Sequence, residues 1–239
     1  MTGYLTARHP VSWPNHPVPM RTFHPRNGRL SAGHETALEH LMPRYGVPIA
    51  AGPCPPLATP EIFGRAAPLV LEIGSGMGEA TAEMAMADPD RDYLAVEVHL
   101  PGIANLLRLV ESLGLTNVRI GCGDALDLLR YQIPVGRLDA VHAFFPDPWP
   151  KTRHHKRRLV QPANVELVAT RLRSGGTLHC ATDWAAYAEA MLRTLDADER
   201  MVNTHSGFAR RPASRPLTKF EQRGTDAGRQ VFDLIFTRR

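Results

Sequence analysis

An apolar run at residues 138–145 stops against Pro146-Asp147-Pro148-Trp149-Pro150, and no other stretch restricts the backbone so tightly. The run reads as a buried strand. Three prolines within five residues then forbid both helix and ladder pairing, so an extended turn is fixed at the strand's C-terminal end. Asp147 and Trp149 ride on that turn, a carboxylate and an aromatic plane suited to gripping a flat heterocycle by its edge and face. The sequence leaves open whether Trp149 stacks on such a base or only packs the turn. Directly behind come Lys151, Arg153, His154, His155, Lys156, Arg157 and Arg158, which makes five Lys/Arg and two His in eight residues. A Pro-rich turn alone is usually just a turn, and a basic run alone is usually a solvated face or a localisation-like patch. Their adjacency favours a base-sized pocket beside a phosphate-sized patch, because a localisation signal has no use for a rigid Asp-Pro-Trp.

The rest of the chain alternates strands and helices. Strands are predicted at 68–73, 93–97, 117–121, 138–145, 177–181 and 230–236. Helices are predicted at 79–87, 102–113, 161–172 and 185–195, with a short one through Leu129. Such alternation predicts a parallel sheet with helices on both faces, in which ligands sit at the C-terminal ends of the strands. Ahead of it, residues 1–20 read as a flexible tail. Residues 21–67 read as a basic N-terminal extension and a Pro-rich loop, with a helix capped by Ser31 and ended by Pro43 and Gly46. Residues 68–239 form the main domain.

Gly74, Gly76 and Gly78 follow the first of these strands and open a helix, letting a ligand approach the backbone. Glu97 ends the next strand about 20 residues on, where a carboxylate commonly takes a ribose hydroxyl, and Asp124 follows the third. The loop departs from the GxGxxG of dinucleotide enzymes. Glu72 also places negative charge where a pyrophosphate would be repelled. A cationic, phosphate-free ligand suits that charge, which favours S-adenosyl-L-methionine and a methyltransferase over a dehydrogenase.

The overall charge of +4 comes from 28 basic and 24 acidic residues. Basicity is therefore clustered, which fits a nucleic acid held at one place. The three cysteines, Cys54, Cys122 and Cys180, are odd in number and widely spaced, so they fit neither a disulfide framework nor a zinc site. No metal is expected, and a reducing cytoplasmic setting is. No apolar run approaches a membrane span.

The motif FFPDPWPKTRHHKRR at 144–158 resembles the signature of the tRNA (guanine-N7-)-methyltransferases of the TrmB type along its whole length. LEIGSGMGE at 71–79, AVEVH at 95–99, GDA at 123–125, ATDW at 181–184 and TKFEQRG at 218–224 are similar to the same family. The resemblance implies a Rossmann-like class I methyltransferase fold with a mostly parallel seven-stranded sheet. It implies that Glu72, Glu97, Asp124 and Asp147 contact S-adenosyl-L-methionine or the reacting centre. Lys151, Asp183, Thr218, Lys219, Phe220 and Glu221 would bind the target nucleoside, and Arg153, His154, His155, Lys156, Arg157 and Arg158 the RNA. The expected product is N7-methylguanosine at position 46 of tRNA, made by a monomer or homodimer.

The residues leave bland readings for two of these positions: Asp147 as a turn cap, and Asp183 as an N-cap for the helix that follows. Two rival functions also remain. A nicotinamide-dependent dehydrogenase would leave the basic run unexplained. A non-enzymatic RNA-binding protein would have no use for acidic residues at four strand ends.

Overall fold

The structure, a computed structural model, describes residues 21–23 and 29–239; the tail expected at 1–20 lies outside them. Ser31 caps α1 (Ala32–Tyr45) reciprocally. Its hydroxyl accepts from the His34 N–H, and the His34 ring accepts from the Ser31 N–H. Pro43 falls in the last turn and does not end the helix, which stops at Gly46. The chain then runs through β1 (Gly46–Val47), α2 (Thr59–Phe63), β2 (Leu69–Ile73), α3 (Glu79–Ala87), β3 (Asp92–Glu97) and α4 (Leu100–Ser112). There follow β4 (Val118–Cys122), α5 (Ala125–Tyr131) and β5 (Leu138–Phe144), then a 3₁₀ helix (Thr152–Arg157) and α6 (Pro162–Arg171). The order closes with β6 (Leu172–Thr182), α7 (Ala185–Asp196), β7 (Met201–Asn203), α8 (Lys219–Asp226) and β8 (Phe232–Arg238).

One sheet holds eight strands in the order β1-β4-β3-β2-β5-β6-β8-β7. Pairing is parallel from β1 to β6; β8 runs antiparallel to both β6 and β7. This matches the expected mostly parallel architecture, with one strand more than the seven implied. The two-residue β1 is too short to give a pattern, and it turns part of the supposed loop into a sheet edge. Within the same loop stretch, α2 is a further element that the prolines concealed.

Alternate residues of each central strand supply opposite faces, as a two-residue period requires. Leu71, Leu94 and Val141 pack with Leu128, Val168 and Met191 on one side. Val70, Ala95 and Ile120 pack with Met84, Ile103, Leu106 and Tyr45 on the other. Parallel pairing puts the C-terminal ends of β1 to β6 at one edge, with the connecting loops above it.

Candidate active site

Four of those strand ends carry the acidic residues expected from the sequence. Glu72 lies in β2, opposite Ala95 of β3 and His142 of β5. It is buried, and its carboxylate accepts a hydrogen bond from the Thr81 hydroxyl. Burial, opposed by the Thr81 bond and helped by the nearby Glu97 charge, pushes its pKa up to about 7. Glu97 ends β3 and braces the glycine turn, accepting from the Gly76 N–H at 2.8 Å, the Val98 N–H at 2.6 Å and the His99 N–H at 2.9 Å. Asp124 caps α5, accepting from the Leu126 N–H at 2.9 Å. Burial raises its pKa, and that cap works against the rise.

The turn itself fits a ligand above and a helix below. Gly74, Gly76 and Gly78 all adopt positive φ, the region that only glycine enters without cost. A Cβ at Gly74 or Gly76 would meet nothing within 4 Å. Beneath, a Cβ at Gly102 of α4 would lie 2.0 Å from the Gly76 carbonyl. The loop is thus pinned from below and bare on its outer side. That bare backbone, ringed by Glu72, Glu97 and Asp124, suits a cationic nucleoside and not a phosphate.

Asp147 stands on a strained turn. Phe145 and Trp149 hold φ of 52° and 44°, a conformation worth about 1–3 kcal/mol of strain at each non-glycine residue. Surrounding contacts over-determine it. The Phe145 N–H donates to the Ala181 carbonyl at 2.7 Å, and the Trp149 Nε1–H donates to the Thr22 carbonyl at 3.1 Å. Trp149 is buried, with the Arg157 guanidinium 5.0 Å from its ring centroid and the His154 ring edge-on at 5.8 Å. It packs the turn, which decides between the two readings left open for it.

The basic run divides. Lys151, Arg153, Lys156 and Arg157 are exposed, and His154 and His155 are half-buried. Arg158 departs from its expected place. It is only 4% exposed, donates from Nε to the Pro148 carbonyl at 2.9 Å, and lies 4.7 Å from the Tyr187 ring centroid. It ties the turn to α7 and offers nothing to a phosphate.

The segment 218–221 shows a similar division. Thr218 caps α8 by accepting from the Glu221 N–H. Lys219 reaches Glu79 at the start of α3, at 3.1 Å. Phe220 is half exposed and meets the Phe145 ring edge-on at 5.2 Å, with the Arg229 guanidinium 5.6 Å from its own ring centroid. α8 therefore bridges the glycine-loop helix and the strained turn. Glu221, however, is buried and gives both carboxylate oxygens to Arg215, at 2.6 and 2.8 Å. Direct contact with a nucleoside, implied by the resemblance, is replaced by an internal ion pair. Asp183 pairs with Arg229 at 2.6 Å. The N-cap of α7 is Trp184, whose N–H is bound by the Thr182 hydroxyl, so Asp183 is not that cap.

Reading the sequence missed His142, His179, Arg215 and Asp233. His142 stacks on Phe144, two residues ahead on the same face of β5 (5.0 Å, 25°), and burial, with His179 close by, pushes its imidazole down to about 3. The available signals were slight: a histidine at strand period from Phe144, and Asp233 interrupting the apolar run of the final strand. Among the described residues, no group of three His, Cys, Asp or Glu side chains is arranged to hold a metal ion.

A doubly wound sheet with this bare, acid-ringed glycine loop at its switch point defines the class of Rossmann-like methyltransferases. A family model described as putative methyltransferase matches residues 66–234. The tRNA (guanine-N(7)-)-methyltransferase of Nitrosospira multiformis is 53% identical over 221 residues, covering 92% of this chain and 95% of that one. That of Halorhodospira halophila is 53% identical over 222 residues, with the same two coverages. That of Streptomyces avermitilis is 52% identical over 92% of this chain and 75% of its own. Among solved structures, the 16S rRNA methyltransferase KamB superposes with a TM-score of 0.55 at 15% identity, over 75% of this chain and 92% of that one, a likeness of fold alone. The chain belongs to the tRNA (guanine-N7-)-methyltransferase family of the TrmB type.

Proposed function

We propose that the chain transfers a methyl group from S-adenosyl-L-methionine to N7 of guanosine 46 in tRNA. One observation carries the reading: a carboxylate, Asp147, stands on a strained turn between the glycine loop and an exposed basic 3₁₀ helix. The names of its relatives support the same activity.

When bound, S-adenosyl-L-methionine supplies an electrophilic methyl on its sulfonium. Glu72, Glu97, Asp124 and the backbone at Gly74, Gly76 and Gly78 would hold it. Guanine N7 has a lone pair and no proton, so no strong general base is needed. What the chain must supply is alignment, and relief for the positive charge that appears on the purine. Asp147 does both by accepting from the guanine N1–H and N2–H edge. Phe220 and Phe145 offer aromatic faces beside it, Asp183 and Lys151 flank the base, and Arg153, Lys156 and Arg157 hold phosphates.

Single-turnover methylation of an unmodified tRNA transcript tests this. Wild type should methylate the transcript, and replacing guanosine 46 with adenosine should abolish the product. Asp147→Asn should slow the step by about 10²–10³ while S-adenosyl-L-methionine affinity changes little. An Asn variant at the wild-type rate removes the electrostatic role, and product from the adenosine transcript removes position 46.

A further inference from the structure

Arg215 is the largest fully buried side chain of the described residues, 1% exposed, in a segment that gives no sign of it. Its guanidinium spends four hydrogen bonds on two carboxylates. Nε and Nη2 donate to Asp233 at 2.7 and 3.0 Å; Nη1 and Nη2 donate to Glu221 at 2.6 and 2.8 Å. Asp233 Oδ1 also lies 2.7 Å from His179 Nε2. The guanidinium carbon lies 5.7 Å from the ring centroids of both Phe144 and Phe145. One planar fork thus joins the first turn of α8, the start of β8, and the two residues that lead into the Asp147 turn.

A buried ion cluster of this kind is poor value as a source of stability, since apolar residues of similar volume often do as well. What the fork gives uniquely is fixed geometry on three elements at once. Thr218 and Phe220 sit on the turn that Glu221 anchors, and Phe220 touches Phe145. If Glu221 slid, that wall would move relative to Asp147, and the two would no longer present one site.

We infer that Arg215 is a positioning residue for transfer to the base: by clamping Glu221 and Asp233 beneath Phe144 and Phe145, it sets α8 against the Asp147 turn. It touches neither cofactor nor guanosine, and Glu221 acts through it. The inference rests on the function proposed above.

The test compares wild type, Arg215→Lys and Glu221→Gln as full-length protein. Lysine keeps the charge but loses the fork, and glutamine keeps one accepting oxygen and the shape. Both variants should melt cooperatively and bind S-adenosyl-L-methionine by calorimetry within about threefold of wild type, because the glycine loop lies outside the clamp. Their single-turnover rates at saturating tRNA should fall about a hundredfold, the loss that a misplacement of roughly 1 Å produces, with smaller changes in KM for tRNA. A clamp that served folding alone would lower melting temperature and cofactor affinity together with the rate, and that outcome overturns the inference. So does a wild-type rate in both folded variants. A wild type that methylates no guanosine N7 sinks the proposed reaction and the positioning role with it, whereas an active wild type with equally active variants sinks the positioning role alone.

Discussion

Glu72 is the carboxyl whose chemistry its surroundings change most, and the change has a pH signature. In the free protein it holds its proton up to about pH 7 because burial disfavours the charge. A cationic ligand beside it favours the ionised form and so lowers its pKa on binding. Cofactor affinity should therefore be greatest above about pH 7 and weaken as pH falls towards 6, where a proton must first leave. Glu72→Gln should bind more weakly at high pH and lose this component of the dependence; calorimetry of both proteins across pH 5.5–8.5 isolates it from the ligand's own titration. Parallel pH curves would take Glu72 out of the binding site. The acidic set at 72, 97, 124 and 147 was legible because each residue follows a strand-like apolar pattern, and in such a sheet strand ends meet at one edge. Arg215 was not legible. Its partners lie 6 and 18 positions away, and a single arginine among prolines carries no period that marks it as buried.

At the scale of elements, the 3₁₀ helix divides labour between adjacent arginines. Arg157 is exposed over Trp149, whereas Arg158 turns inward to the Pro148 carbonyl. Arg157→Ala should weaken tRNA binding and reduce the slope of log affinity against log salt by about one unit, leaving stability near wild type. Arg158→Ala should do the reverse: stability falls by about 1.5–3 kcal/mol, the range for a hydrogen bond from a charged donor, with the salt slope unchanged. Urea denaturation and tRNA titration across a potassium chloride series separate the two. Equal salt slopes for both variants would return Arg158 to the RNA surface. Nothing within the run distinguishes these neighbours, since the choice is made by Tyr187 on α7, far along the chain. The same limit hid α8, whose exposed face is almost wholly polar, and β1, whose two residues show no pattern at all. Longer elements such as α3 and α7 were read nearly to the residue because their apolar spacing is self-contained.

For the molecule as a whole, one sheet separates two cores, with Ile103 buried on one face and Leu128 on the other. Both faces share every central strand, so neither can melt alone. Ile103→Ala and Leu128→Ala should each cost about 2–5 kcal/mol, and should each move a single transition in which far-UV dichroism and tryptophan fluorescence coincide. Two separated transitions would show that the faces unfold independently. The alternation of elements revealed the doubly wound parallel half. It did not reveal that β8 inserts antiparallel between β6 and β7, because a strand's pattern shows which faces are buried and not which way it runs. That insertion has a consequence for how the protein is made. A ribosome delivers β7 well before the residues that will neighbour it, and Arg215 before Asp233 exists to receive it. In a nascent chain the glycine loop and the basic helix therefore emerge while Asp233, the partner that fixes Arg215 against Phe144 and Phe145, is still missing.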